Sequence, residues 1–341
     1  MSDTVSLLRR LSPQLIALGV ILFLIWLVFP AFFTVTFQNG RAYGSLIDVL
    51  NRGAPVALLA IGMTVVIATK GIDLSVGAVM AICGAVAASA SVSGQPIAVT
   101  LALAIGIGVL CGLWNGILVA FLNIQPIIAT LILMVAGRGI AQLITEGAIL
   151  TFDDPALAFV GSGALFGLPF PVVTWIVVAL LVTIVLRWSA LGMLIEAVGI
   201  NRRASMLAGI NAPVLLIAVY VLSGACASIA GIAIAADIRG ADANNAGLWL
   251  ELDAILAVVV GGTSLLGGRF SIVGSLLGAM IIQAINTGIL LSGFPPQFNL
   301  IIKAAIVVVI LIIQSPEAKT LLTFLKLPRW ASLGASKGAE Q

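Results

Sequence analysis

Apolar stretches long enough to cross a lipid bilayer follow one another almost without pause along the 341 residues of this chain. They lie near 15–37, 54–69, 74–92, 97–121, 126–145, 171–187, 213–236, 252–267, 270–291 and 298–314. A hydrocarbon core about 30 Å thick asks for roughly 20 apolar residues per helix. The composition leaves little for anything else: 61% of residues are apolar and 9% charged, where a soluble chain carries about a quarter charged residues. The expectation is an all-α, polytopic membrane bundle of about ten transmembrane helices. The first run follows Arg9 and Arg10. It exceeds the apolar region of a secretory signal and no small-residue cleavage pattern closes it, so it reads as an uncleaved span.

Charge orients the bundle. Ten crossings that start inside place Lys and Arg at 9, 10, 70, 187, 202, 203, 269, 319, 326, 329 and 337 on the cytoplasmic side. Only Arg41, Arg52 and Arg239 fall outside, with Arg138 and Lys303 within spans. That bias obeys the positive-inside rule and puts both termini in the cytoplasm. The chain divides into a cytoplasmic segment 1–14, a membrane domain 15–314 and a polar tail 315–341. Three connections are long: 146–170 and 237–251 outside, 188–212 inside. The interruptions at Gly71 and at Gly267-Gly268 are short, and two re-entrant breaks there reduce the count to eight.

Several chemistries are excluded. The chain has no histidine, which removes imidazole catalysis and His-ligated metals. Cys83, Cys111 and Cys226 stand alone in apolar runs, as small buried side chains do. No Gly-Lys dipeptide occurs, so there is no P-loop; if ATP drives this protein, another subunit hydrolyses it.

Four segments carry the remaining information. In Gly71-Ile-Asp-Leu-Ser-Val-Gly77 two glycines bracket Asp73 and Ser75 between strongly apolar runs. A carboxylate at that depth lines water or finds partners; Asp73 suits a helix N-cap, and contact with a passing solute is the alternative. Gly108, Gly112 and Gly116 lie on one helical face, with Asn115 beside them, as close helix packing in lipid requires. Gly274 and Gly278 repeat the device. Within 188–212, Asn201 is placed to cap a short helix from Arg202 to Leu207, stopped by Gly209. Arg202 and Arg203 are expected to face water, with Met206 and Leu207 as an apolar edge: either a docking surface or an interfacial helix on lipid headgroups. The loop around Asn244-Asn245 reads as a solvated turn or as a surface for a polar solute or partner. Arg138 and Lys303 are expected to find acceptors or water within the membrane. A solute path asks for small, amide and hydroxyl side chains; Asp73, Ser75, Asn115, Gln125, Thr263, Ser264 and Asn286 are of that kind.

Three of these stretches carry a resemblance. Gly71–Gly77, Glu196-Ala-Val-Gly-Ile-Asn-Arg-Arg-Ala-Ser-Met-Leu-Ala-Gly209 and Glu251–Arg269 are similar to the signatures of bacterial ABC sugar-importer permeases of the ribose/xylose/galactose group. Leu131–Gly139, Ala236–Asp253 and Ser292–Pro296 resemble the galactofuranose branch. The resemblance covers about 45–315. It implies a permease subunit in the bacterial inner membrane that is not itself an enzyme. The implied partners are a cytoplasmic ATPase, a second and different permease chain, a periplasmic sugar-binding protein and membrane lipid, with no nucleic acid. It implies no cofactor in this chain, ATP and Mg being held by the ATPase. The ATPase-coupling segment is carried onto Glu196, Gly199, Asn201, Arg202, Arg203 and Gly209. Two rivals from other classes are an ion-coupled secondary transporter with Asp73 as its ion site and an intramembrane hydrolase, for which the chain lacks a nucleophile–base pair.

Overall fold

The computed structural model describes residues 2–38 and 40–293, with five isolated positions between 300 and 308. Most of the tenth apolar run, including Lys303, most of Ser292–Pro296 and the tail lie outside the described residues. Helix α1 (Ser2–Val28) begins well before the first apolar run and ends earlier than that run does. Phe29 precedes Pro30, and a residue before proline avoids the α region. The chain turns through a 3-10 segment, Pro30–Phe33, into a hairpin of β1 (Thr36–Gln38) and β2 (Arg41–Tyr43). A short α2 (Ser45–Arg52) then meets α3 (Ala54–Ala68) at a 42° bend over Gly53.

The next four expected spans appear as α4 (Val76–Val92), α5 (Ile97–Ala120), α6 (Pro126–Ile144) and, after the long outer connection, α8 (Phe170–Trp188). That connection is built rather than loose: it holds β3 (Ile149–Thr151), α7 (Pro155–Ser162) and a two-residue hairpin of β4 (Ala164–Leu165) and β5 (Leu168–Pro169). Two helices follow, α9 (Leu191–Ile200) and α10 (Arg202–Leu207), then α11 (Ala212–Asp237), β6 (Gly240–Asp242), α12 (Leu250–Val260) and α13 (Ile272–Leu291). The α12 run stops short of Gly267, because Gly261 and Gly262 break it first and Gly262 takes φ +87°.

Among the described residues, α5, α6, α8, α11 and α13 are long and apolar enough to cross a membrane, and the bent α2–α3 pair passes the same test only when its two helices are taken together, as a broken span or a re-entrant loop. The other apolar helices are short. At 1.5 Å per residue α3 covers only about 22 Å and α12 about 16 Å. Every residue of α3 except Pro55 is buried. Such helices are held inside the bundle, where protein rather than lipid satisfies the backbone at their ends. The Gly267–Gly268 turn, for example, donates the Gly268 N–H to the Ala68 carbonyl at 2.9 Å.

Helix α11 is the hub, packed against α3, α4 and α5 together. The expected glycine seam lies at its contact with α5. A Cβ on Gly108 would meet the Gly224 carbonyl at 2.6 Å, and one on Gly116 the Ile217 Cα at 2.8 Å; Gly112 sits against the Tyr220 carbonyl. Gly278 likewise abuts Ala257 of α12. Connections sort onto two opposite faces. On one, Lys70 Nζ donates to the Ile200 carbonyl at 3.1 Å and Arg202 to the Ala120 carbonyl at 2.9 Å. On the other, β3 pairs with β6 and Arg41 donates to the Ser162 carbonyl at 2.6 Å.

The seam sets a stability test. Gly112→Ala forces backbones apart and is expected to cost about 1–3 kcal/mol. Gly106→Ala on the same helix meets nothing within 4 Å and is expected to be neutral or stabilising by up to about 1 kcal/mol. Thermal unfolding of the two variants in detergent checks the difference.

Candidate functional site

The glycine-bracketed segment after α3 is locked into a buried polar network. Asp73 is 2% exposed and Ser75 1%. The Ser75 N–H and hydroxyl donate to Asp73 Oδ1 at 3.0 and 2.6 Å, and the Ser223 hydroxyl of α11 donates to Oδ2 at 2.8 Å. Asn115 of α5 donates its amide to Ser75 Oγ at 2.8 Å. Thr130 of α6 accepts from the Leu74 N–H and lies 3.2 Å from the Ile72 carbonyl. Asp73 therefore turns the chain into α4 through the N–H two residues on, while Ser75 occupies the formal cap. Its partners are three neutral donors from two elements, the turn itself and α11. Nothing in the sequence pairs Ser223 or Thr130 with Asp73, 150 and 57 positions away; the only signal is a hydroxyl inside an apolar run.

The candidate path residues do not share one cavity. Asp73, Ser75 and Asn115 form the closed cluster. Gln125, the residue before α6, lines a cavity of about 520 Å3 beside Lys70, Arg202 and the buried Tyr220. Thr263 is buried and its hydroxyl has no partner among the described residues, whereas Ser264 is exposed and caps the Leu266 N–H. Asn286 lines a separate cavity of about 320 Å3 near the opposite face.

The segment 188–212 folds as two helices, of which the sequence reading found only the second. Asn201 caps α10 through the Ala204 N–H at 3.0 Å. Gly209, at φ +88°, closes it, with the Gly209 and Ile210 N–H groups returning to the carbonyls of Met206 and Ser205. That is the left-handed stop for which glycine is suited. Leu207 is 91% exposed. The expectation that both arginines face water is corrected at Arg202. It is half-buried and bonds the Ala120 carbonyl and Asn123 Oδ1, a cation on the negative end of α5. Arg203 is exposed. Gly199 of α9 is wedged against the Ala68 carbonyl and the Gly268 N–H, so a side chain there has no room. Glu196 lines a further cavity of about 510 Å3 with Arg187 and Arg269.

On the other face the Asn244-Asn245 turn is committed to internal bonds. Asp242 accepts the N–H groups of Asn244 and Asn245 and the Asn245 amide, and Gln142 bonds Asn244 at 2.8 Å. Arg138 finds its acceptors here, the carbonyls of Ala243 and Ala246. The Asn245 side chain, with the two backbone donors and Arg138, holds the Asp242 carboxyl below its usual range. Cys83 and Cys226 are buried and Cys111 half-buried, all three free. No group of residues able to hold a metal occurs among the described residues.

A bundle of spanning and shorter apolar helices, with a capped, exposed helix on one face and polar cavities at both, is the build of a multi-pass membrane protein. Comparison makes the class specific. Residues 45–311 match the family described as branched-chain amino acid transport system / permease component, and the chain belongs to that family of ABC importer permeases. It is 62% identical over 303 residues, 89% of each chain, to the galactofuranose transporter permease protein YtfT of Escherichia coli (strain K12). It is 41% identical to the fructose import permease protein FruF of Bifidobacterium longum, over 86% of this chain and 83% of that one. It is 38% identical to the ribose import permease protein RbsC of Escherichia coli (strain K12), over 90% and 94%. No solved structure matches. A permease of this kind works with a partner ATPase and a substrate-binding protein. None of these relatives supports the ion-coupled reading.

Two outcomes are expected. Asp73→Ala strands three donors and is expected to cost on the order of 3 kcal/mol, with Asp73→Asn intermediate, read by thermal unfolding in detergent. Because the folded Asp242 value is depressed, its contribution is complete above about pH 4, the unfolded value, and is lost as pH falls through the folded one. Hydrogen exchange at the Asn244 and Asn245 amides, corrected for intrinsic rates, is expected to lose protection over that acid window, and at every pH in Asp242→Ala.

Proposed function

We propose that this chain forms one half of the membrane core of an ATP-driven monosaccharide importer in the bacterial inner membrane, with galactofuranose as its sugar. The observation that carries the substrate is the 62% identity over 303 residues to a galactofuranose transporter permease. The family description names branched-chain amino acids, whereas the relatives matched over most of their length are sugar permeases, which supports a sugar as the cargo. In this reading a periplasmic binding protein delivers the sugar, a second and different permease chain completes the core, and ATP and Mg stay with the ATPase. No cofactor belongs to this chain.

In this reading the chain crosses ten times, with segments 1–14 and 315–341 in the cytoplasm, and the charge on one face of the bundle supports the orientation. The face of α9 and α10 carries Lys70, Arg187, Arg202, Arg203 and Arg269, as a cytoplasmic face should. We assign α9 and α10 as the ATPase-coupling element, with Glu196, Gly199, Asn201, Arg202, Arg203 and Gly209 as its working residues. The connectivity supports the assignment. From α10, Arg202 grips the end of α5, which carries Asn115; from α9, Ile200 and Gly199 grip Lys70 and Ala68, three to five residues from Asp73. A push on α10 thus reaches the Asn115–Ser75–Asp73 network from both sides. Rocking of helices about that network is the alternating-access step. Asp73, Ser75, Asn115, Gln125, Thr263, Ser264 and Asn286 would then become accessible in stages, with weak affinity.

The test reverses the charge of the grip. In the reconstituted importer, Arg202→Glu with Arg203→Glu is expected to lower sugar uptake by roughly 5–150-fold, the span of ordinary coupling energies, while the chain still inserts in the membrane. Radiolabelled uptake into proteoliposomes measures it. Wild-type uptake in the double variant would remove the coupling assignment.

A further inference from the structure

On the face opposite α10, the ends of α2, α11, α12 and α13 surround the cavity of about 320 Å3 that contains Asn286. Its polar lining comes from four helices that are far apart in sequence: Asn51 and Arg52, Asp237, Asp253, and Gln283 with Asn286. Arg52 and Asp237 are exposed, at a mouth; Asp253 and Gln283 are 7% and 8% exposed, at a floor. Between them the side-chain carbonyl oxygens of Asn51 and Asn286 are shielded and have no hydrogen-bond partner among the described residues. The Gln283 amide makes one long bond, 3.4 Å to Thr287.

Shielded amide oxygens call for a donor. A metal cation is disfavoured by the guanidinium at the mouth, and an anion by the two carboxylates. A neutral ligand that both donates and accepts suits amides, carboxylates and an arginine at once. The volume is at the lower end for small-molecule sites, which run from roughly 300 to 1,000 Å3, and so admits one small ring. Among the described residues no aromatic side chain lines the cavity, so the contacts they offer are hydrogen bonds rather than stacking, as suits a site the ligand can quit.

We infer that this cavity is a monosaccharide station of the permease, which holds one neutral sugar by its hydroxyls through Asn51, Gln283 and Asn286 before passage. The inference rests on the sugar-import reading above and adds a place and a set of contacts to it.

The experiment uses the complete importer in proteoliposomes, with radiolabelled galactose and a series of its monodeoxy analogues, each at saturating binding protein. Wild type is expected to import at least one deoxy analogue more slowly than galactose, by up to about tenfold, one hydrogen bond's worth. Asn51→Ala and Asn286→Ala are each expected to slow galactose and to erase the penalty for one analogue, since the lost contact no longer discriminates. Where an alanine variant does not assemble, Asn51→Ser or Asn286→Ser replaces it. Uptake that falls equally for every sugar, or wild-type rates and ratios in the variants, would overturn the station while leaving the importer reading intact. A wild-type complex that moves no monosaccharide would overturn both.

Discussion

Two helices that touch backbone to backbone organise this protein. In lipid, apolar side chains gain nothing by leaving one another's company, because the solvent is as apolar as they are; close packing and hydrogen bonds must supply the association. The glycines of α5 allow α11 to approach so closely that the carbonyls of Tyr220 and Gly224 occupy the space of absent side chains. That approach brings Ser223 beside the segment 71–75 and sets Asn115 on its other side. The same hub holds α3 and α4 against α11, and so lets short apolar helices pack inside the bundle.

A buried carboxylate with three neutral donors is a demanding arrangement. It is stable only while all its partners are in place, and those partners sit on α11 and on the turn into α4, with Asn115 of α5 one bond further out. Helix motion therefore cannot leave it untouched. Arg202 and Lys70 extend the connection to α9 and α10 by bonds to main-chain carbonyls rather than to carboxylates. Such bonds follow the backbone itself, so displacement of one helix end is passed on as displacement, not as a change of charge.

The two ends of the bundle differ in kind. Around α10 the side chains are basic and, Arg202 apart, exposed, and Leu207 and Met206 add an exposed apolar edge. At the far end, charges of both signs and amides surround a small cavity, while the neighbouring Asn244-Asn245 turn is rigidly self-bonded and holds Arg138. A protein surface belongs to the first kind and a small polar solute to the second. This division agrees with a subunit that meets a motor on one side and its cargo on the other.

Much of this was legible in the chain itself. Continuous apolar runs announced membrane helices, the spacing of Gly108, Gly112 and Gly116 announced a packed face, and Asn201 with Gly209 marked both ends of α10, because caps and periodicity are local properties. Local rules also misjudged some ends: the first run continues past Phe29 on hydropathy, yet Pro30 stops the helix, and the α12 run yields at Gly261 rather than Gly267. The partners of Asp73, the grip of Arg202 on α5, the existence of α9 and the gathering of Asn51, Gln283 and Asn286 around one cavity were decided only in three dimensions. Each depends on which helix lies beside which, and in a membrane that choice is made by the fit of whole helix surfaces, which no short stretch of residues carries alone.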